Sequence, residues 1–153
     1  MKTALLLILA PAIVTADGQW ATLREGRTCE AASRSLAVVH KGRPPARASL
    51  SFDGGGPRHG QFAARLSRLP RSDATVMLHV GDQPFLLMSQ GDMAWSRGPR
   101  QEQAIIAAVR KSGGMRVEAR SPGGGRIVDR YSLNGAPLAI DAAAACAAAL
   151  ANR

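Results

Sequence analysis

The amino-acid sequence predicts a mainly-β fold, an antiparallel sandwich or half-open barrel with two helices at about 99–112 and 136–151. Three observations predict it. Between Gln19 and Met88, apolar and polar residues alternate in short runs separated by turn residues, as in strands with one buried face. At Pro99 the spacing becomes helical, and from Ala136 to Ala151 more than half the residues are alanine. Between these helical segments, Met115 to Leu133 alternates again around a Ser-Pro-Gly-Gly-Gly turn, which makes a hairpin. About seven to nine short strands are expected for a domain of this kind.

The chain begins with MKTALLLILAPAIVTA. Lys2 supplies a charged start, Ala4 to Val14 an apolar stretch, and Val14-Thr15-Ala16 a small-residue cleavage site. The apolar stretch is shorter than the roughly 20 residues a membrane helix needs. Residues 1–16 are therefore expected to be a signal peptide, leaving 17–153 as a single β-rich domain that is periplasmic or secreted after cleavage near Ala16. The 137 residues that remain suffice for one hydrophobic core.

Along that domain, Trp20–Leu23, Cys29–Ala32 and Leu36–His40 are short strand candidates. Arg47–Phe52 is clearer, with Ala48, Leu50 and Phe52 on a dry face and Arg47, Ser49 and Ser51 on a wet one. DGGGPRHG, from Asp53 to Gly60, reads as a loop, because glycine and proline disfavour any regular element there. Gln61–Pro70 reads as a strand or as a short amphipathic helix carrying Phe62, Leu66 and Leu69, and the surrounding β pattern favours the strand. Ala74–Val80 places Val76, Leu78 and Val80 inward, and Gly81-Asp82 turns the chain into a partner, Phe85–Met88. Pro99 then suits the first helical position, with Glu102 in the first turn and Ile105, Ala108 and Val109 as the buried stripe. Arg110 and Lys111 fall in its last turn, before Gly113-Gly114. Met115, Val117 and Ala119 point inward on the next strand. In the closing helix Leu138, Ala142, Cys146 and Ala149 fall at helical spacing, a stripe expected to face the sheet.

Cys29 and Cys146 are the only cysteines. In an exported chain an even count favours a disulfide, which would staple the two ends of the mature domain. Closing the loop of 117 residues between them stabilises by on the order of 4 kcal/mol in the chain-entropy model.

The formal charge is +9, falling to +8 without Lys2, and arginine supplies 17 of the 20 cations. A charge of this size attracts anions over a long range. Nucleic acid is a poor partner, because the compartment is wrong and the six aromatic residues are scattered instead of interleaving a basic patch. An anionic envelope component or an envelope protein suits better, with peripheral membrane contact as one form. From Lys41 to Arg71 seven cations face a single acid, Asp53. Arg43, Arg47, Arg65, Arg68 and Arg71 from this stretch, with Arg116 and Arg120 from the C-terminal hairpin, are the candidate anion-binding residues, since guanidinium forks onto carboxylate or phosphate oxygens. A plain solvated face is the simpler account of the same arginines.

The run SGGMRVEARSPGGGRIVDRYSLNGAPLAIDAAAAC, with Trp20 and Cys29 near the mature N-terminus, resembles the invasion-associated locus B family of small exported alphaproteobacterial proteins. Ser132-Leu133-x-Gly135-Ala136-x-x-Ala139-Ile140 carries most of the resemblance, over roughly residues 112 to 146. It implies antiparallel β-structure and a periplasmic or outer-membrane-associated place. It carries over no catalytic residues. The family's usual pair of neighbouring N-terminal cysteines is represented here by Cys29 alone.

Enzymatic chemistry finds little support in the residue pattern. No serine sits in a nucleophile-elbow context, and any pairing of Asp82, Asp92, Glu102, Glu118 or Asp129 as two catalytic carboxylates is arbitrary. The glycine-rich segments lack the Lys and Ser/Thr of a phosphate-binding loop. No catalytic residue and no cofactor is expected, and a small hydrolase ranks third among the readings. The second is a periplasmic copper-binding module. Met77, His79, Met88 and Met93 offer the thioether and imidazole donors that cuprous copper prefers, although methionine is also a common core filler. His40, His59 and His79 are too dispersed for zinc. The first reading is a non-enzymatic envelope protein.

Overall fold

In the computed structural model, residues 11–37 and 42–153 are described. They form β1 (Ala12–Asp17), β2 (Trp20–Glu25), β3 (Thr28–Arg34), β4 (Arg47–Asp53), β5 (His59–Arg65), β6 (Val76–Val80), β7 (Gln83–Gln90), β8 (Met93–Trp95), α1 (Pro99–Val109), β9 (Gly114–Arg120), β10 (Arg126–Ser132) and α2 (Ala136–Ala151). The architecture is mainly antiparallel β with two helices, as the alternation requires. Ten strands are present among the described residues, nine of them (β2 to β10) within the expected domain 17–153, where about seven to nine were expected.

Four of the turns share one chemistry. Gly18-Gln19, Gly26-Arg27, Gly81-Asp82 and Gly91-Asp92 each join two strands, with positive φ at the glycine and at no non-glycine residue. A glycine followed by a residue of ordinary φ is the pattern of the type II′ hairpin, whose twist matches that of the strands. These turns join β1 through β3 and β6 through β8 in two meanders, and longer links after β3 and β4 extend the first to β5. The second docks in reverse, giving the order β1-β2-β3-β4-β5-β8-β7-β6-β9-β10.

The sheet curls until its far end returns to its beginning. The backbone N–H of Leu36 donates to the Arg130 carbonyl (2.8 Å) and that of Gln19 to the Asn134 carbonyl (3.1 Å). Trp20 seals the junction, its indole N–H donating to the Ser132 carbonyl at 2.8 Å. Inside lie Leu50, Phe62, Leu78, Val117, Ile127 and Tyr131. Helix α2 packs on β2, β3 and β4, and α1 on β5, β6 and β7.

At the start of α1, Ser96 accepts the Phe62 N–H (3.1 Å) and lies 3.0 Å from the Glu102 carboxylate, to which its hydroxyl donates. Glu102 is thus a buried fastening for the helix as well as a charge near its positive end. Gly60 makes the bulge in β5 and has φ of 103°. A Cβ there would sit 2.8 Å from Ile106 Cδ1, so the bulge and the packing of α1 both select glycine.

Several expectations are corrected. Leu36 and Ala37 form a bend instead of a strand, and Val38–His40 lie outside the described residues. The strand expected over 61–70 ends at Arg65, because Leu66–Pro70 leaves the ladder to cross toward β6. Short β8 fell in no expected element. Ser49 and Ser51, assigned to a wet face, are only 4% and 6% exposed. They are small residues in the middle of a sheet, flanked on both sides by β3 and β5. The stripe on α2 is rotated: Ala136, Ala139, Ile140, Ala143, Ala147 and Leu150 are buried, whereas Leu138 is 63% exposed. With alanine nearly all round, the helix could not declare its buried face.

Residues 1–10 of the expected leader lie outside the described residues. Pro11 precedes β1, so Ala12–Ala16, also assigned to the leader, form most of the first strand. Among the described residues no helix is long and apolar enough to cross a membrane.

Candidate functional site

Cys29 and Cys146 form a disulfide between β3 and α2, with Cα atoms 6.1 Å apart. Their pairing was legible although the α2 stripe was not, because Cys146 sits at the margin of the buried face, where it still reaches Cys29. Arg27 adds a polar fastening, donating to the Gly54 carbonyl at 3.0 Å and to the Leu150 carbonyl at the end of α2 at 2.7 Å.

The seven candidate arginines divide into two groups. Arg47 pairs with Glu30, and Arg65 donates to the Pro45 carbonyl at 3.2 Å with its Nε buried and without a partner. Arg116 donates to Glu118 at 2.8 Å. These three serve the sheet's own electrostatics. Arg43, Arg68, Arg71 and Arg120 are exposed and lie toward one end of the sheet, around the β5–β6 link and the β9–β10 turn.

The link is held there by its backbone. The Ser67 N–H donates to the Asp129 carboxylate at 2.9 Å, and the Arg71 N–H to the Arg120 carbonyl at 3.0 Å. Asp129, only 1% exposed, anchors the link and does not present its charge to solvent. Arg68 reaches across to the Arg126 carbonyl at 3.0 Å. The result is a cleft of about 660 Å³ lined by Ala37, Arg43, Ser67, Arg68, Arg126, Val128 and Asp129. Arg120 and Arg126 line an adjoining cleft with Glu118, and Arg71 a further one with Leu69, Pro70 and Pro122.

Arg126 was missed by sequence reasoning, yet its signal was present. A hairpin closed over residues 121–125 sets Arg126 opposite Arg120, as the register shows. Its guanidinium is 58% exposed and donates to Glu118 at 2.8 Å. Glu118 also receives Arg116 and lies 3.8 Å from His79. The Arg116 hydrogen bond, aided by the charges of Arg126, Arg116 and His79, holds its carboxyl below the ordinary range and keeps it ionised. The phenol of Tyr131, by contrast, is driven upward by burial and by Asp129, and stays neutral.

Met77, His79, Met88 and Met93 all project from the outer face of the sheet. The register sets Met77 against Leu86 and Glu118, His79 against Pro84 and Arg116, Met88 against Trp95, and Met93 against Gln90 and Arg65. None of the four is directly opposite another. Among the described residues no group of three or more His, Cys, Asp or Glu side chains is gathered as for a metal ion.

No protein-family model, no curated protein and no solved structure matches the chain.

Proposed function

We propose that this chain is a non-enzymatic envelope protein of the invasion-associated locus B kind, exported by a leader ending near Ala16. On this reading it binds an anionic envelope component or partner through the cleft of Arg43, Arg68 and Arg126. The observation that carries the reading is the charge of that cleft: its lining holds three arginines and one carboxylate, Asp129, which is buried and already engaged by a backbone N–H. Among the described residues, only Arg126 of the three also reaches an acid outside the lining, Glu118. Arg120, and Arg71 beside its ion-pair partner Asp73, extend the rim into the neighbouring clefts. Guanidinium groups so placed can fork onto phosphate or carboxylate oxygens. Export is supported by the residue pattern of the leader and by the disulfide, which suits an oxidising compartment.

The test uses tripolyphosphate as a soluble probe, titrated calorimetrically into the mature protein. Affinity should fall about tenfold or more in R43Q/R68Q/R126Q, and should weaken as salt rises from about 20 to about 150 mM. The variant R34Q/R100Q/R153Q removes equal charge elsewhere and should bind nearly as the parent does. Equal losses in both variants would reduce the cleft to a general effect of net charge.

A further inference from the structure

Strand β1 occupies the outer edge of β2 without belonging to the core. Every residue of it whose side chain is described is exposed, Ile13 by 71%, and among the described residues the buried core begins at Trp20. Strand β2 is held independently of it. Trp20 donates to Ser132, the Thr22 hydroxyl to the Ala139 carbonyl at 2.9 Å, and the Ser33 hydroxyl to the Gln19 carbonyl at 2.8 Å. Removing β1 therefore leaves β2 in place with one side of its backbone unpaired.

The hairpins identify which groups those are. Asp17 and Trp20 close one two-residue turn, and Glu25 and Thr28 close the other. Because successive residues of a strand bond to opposite sides, Ala21, Leu23 and Glu25 serve β3 while Trp20, Thr22 and Arg24 serve β1. Exposed edges in natural sheets are guarded by proline, lysine, a bulge or a covering segment. Strand β2 contains neither proline nor lysine, and its register with β3 is unbroken. The opposite edge differs, since β10 is covered in part by the Leu36 hydrogen bond.

We propose that loss of residues 1–16 uncovers the β2 edge and that a second copy of the chain fills it, β2 against β2 about a two-fold axis. The proposal rests on the leader reading given above. One symmetric register sets Leu23 against its own copy, with Thr22 opposite Arg24 and Ala21 opposite Glu25, so that no like charges meet. Helix α2 packs against both β1 and β2, and its Leu138 is exposed. The same seat that accepts the chain's own residues 12–17 thereby accepts a strand from outside.

Light scattering after size exclusion tests this on two chains, one beginning at Asp17 and one at Pro11. The Asp17 chain should have about twice the monomer mass and dissociate on dilution, whereas the Pro11 chain, whose edge is filled in cis, should be monomeric. Arg24→Pro removes an outward N–H without touching the β3 ladder and should make the Asp17 chain monomeric, while Arg24→Ala keeps the donor and the dimer. An Asp17 chain that is monomeric throughout overturns the proposal, as does a dimer of the Pro11 chain. Should Arg24→Pro fail to fold, this comparison of the two chains still decides. Mass spectrometry of the exported protein examines the leader separately: an N-terminus retained before Ala12 refutes the cleavage, and with it the uncovering of the edge in the exported protein.

Discussion

Breaking the Cys29–Cys146 bridge should move the unfolding transition far more than any local contact at that site explains. The bridge closes a loop with a sequence separation of 117, which includes nearly all of the predicted mature domain. Constraining such a loop removes about 16 cal/mol/K from the unfolded chain, equivalent to between about 4 and 5 kcal/mol at about 25 °C. The folded state loses little by comparison, because Arg27 still holds the end of α2 and the buried alanines of the helix still cover β3. With a urea dependence of about 2 kcal/mol/M, the midpoint should fall by about 2 M in the variant C29A/C146A. Reduced parent protein should fall similarly; the difference between the two isolates the small loss of packing at Cys29, which is fully buried. The slope should also rise, since an uncrosslinked unfolded chain exposes more surface. Equilibrium urea unfolding followed by tryptophan fluorescence measures both quantities. A midpoint shift below about 0.5 M would refute the view that the bridge acts through the unfolded chain.

Three further outcomes are expected. Ser96→Ala should cost about 1–2 kcal/mol by thermal or urea unfolding, because it leaves the buried Phe62 N–H and Glu102 carboxylate without their shared partner. Gly54→Ala should destabilise by about 1–3 kcal/mol, since its Cβ would meet Leu150 Cβ at 2.6 Å and push α2 off β4. The carboxyls of Asp53, held down chiefly by its Arg58 hydrogen bond, and of Glu118, held down chiefly by Arg116, both lie below their unfolded values. Their stabilisation is therefore complete above about pH 5 and is lost as pH falls through the lowered values, so D53N/E118Q should flatten the acid limb of a melting-temperature profile.

Much of the fold was legible because alternation reports burial directly. Ala48, Leu50 and Phe52, then Val76, Leu78 and Val80, then Met115, Val117 and Ala119 all face inward as their spacing requires, apart from a partial exposure of Phe52. The four Gly-X hairpins were equally legible, although only Gly81-Asp82 was read as one. The face of α2 was not, since an alanine-rich helix carries almost no contrast in side-chain size or polarity. Nor was the depth of Ser49 and Ser51, which are covered because β4 is paired on both sides, by β3 and by β5, and alternation within one strand does not record its neighbours. Of the arginines, sequence marked an excess of positive charge but could not separate Arg47, Arg65 and Arg116, which serve the sheet, from Arg43 and Arg68, which line a cleft.

By itself the sequence determined the strand faces, the helix positions, the cysteine pairing and the sign of the surface, because each depends on local periodicity or simple counting. Tertiary structure decided the order β5-β8-β7-β6-β9, the curl that brings β10 back to β3, and the meeting of Arg43, Arg68 and Arg126 around one cleft. It also placed Ala12–Asp17 on the edge of β2. Such features depend on contacts between residues far apart in the chain, and local hydropathy does not record those contacts.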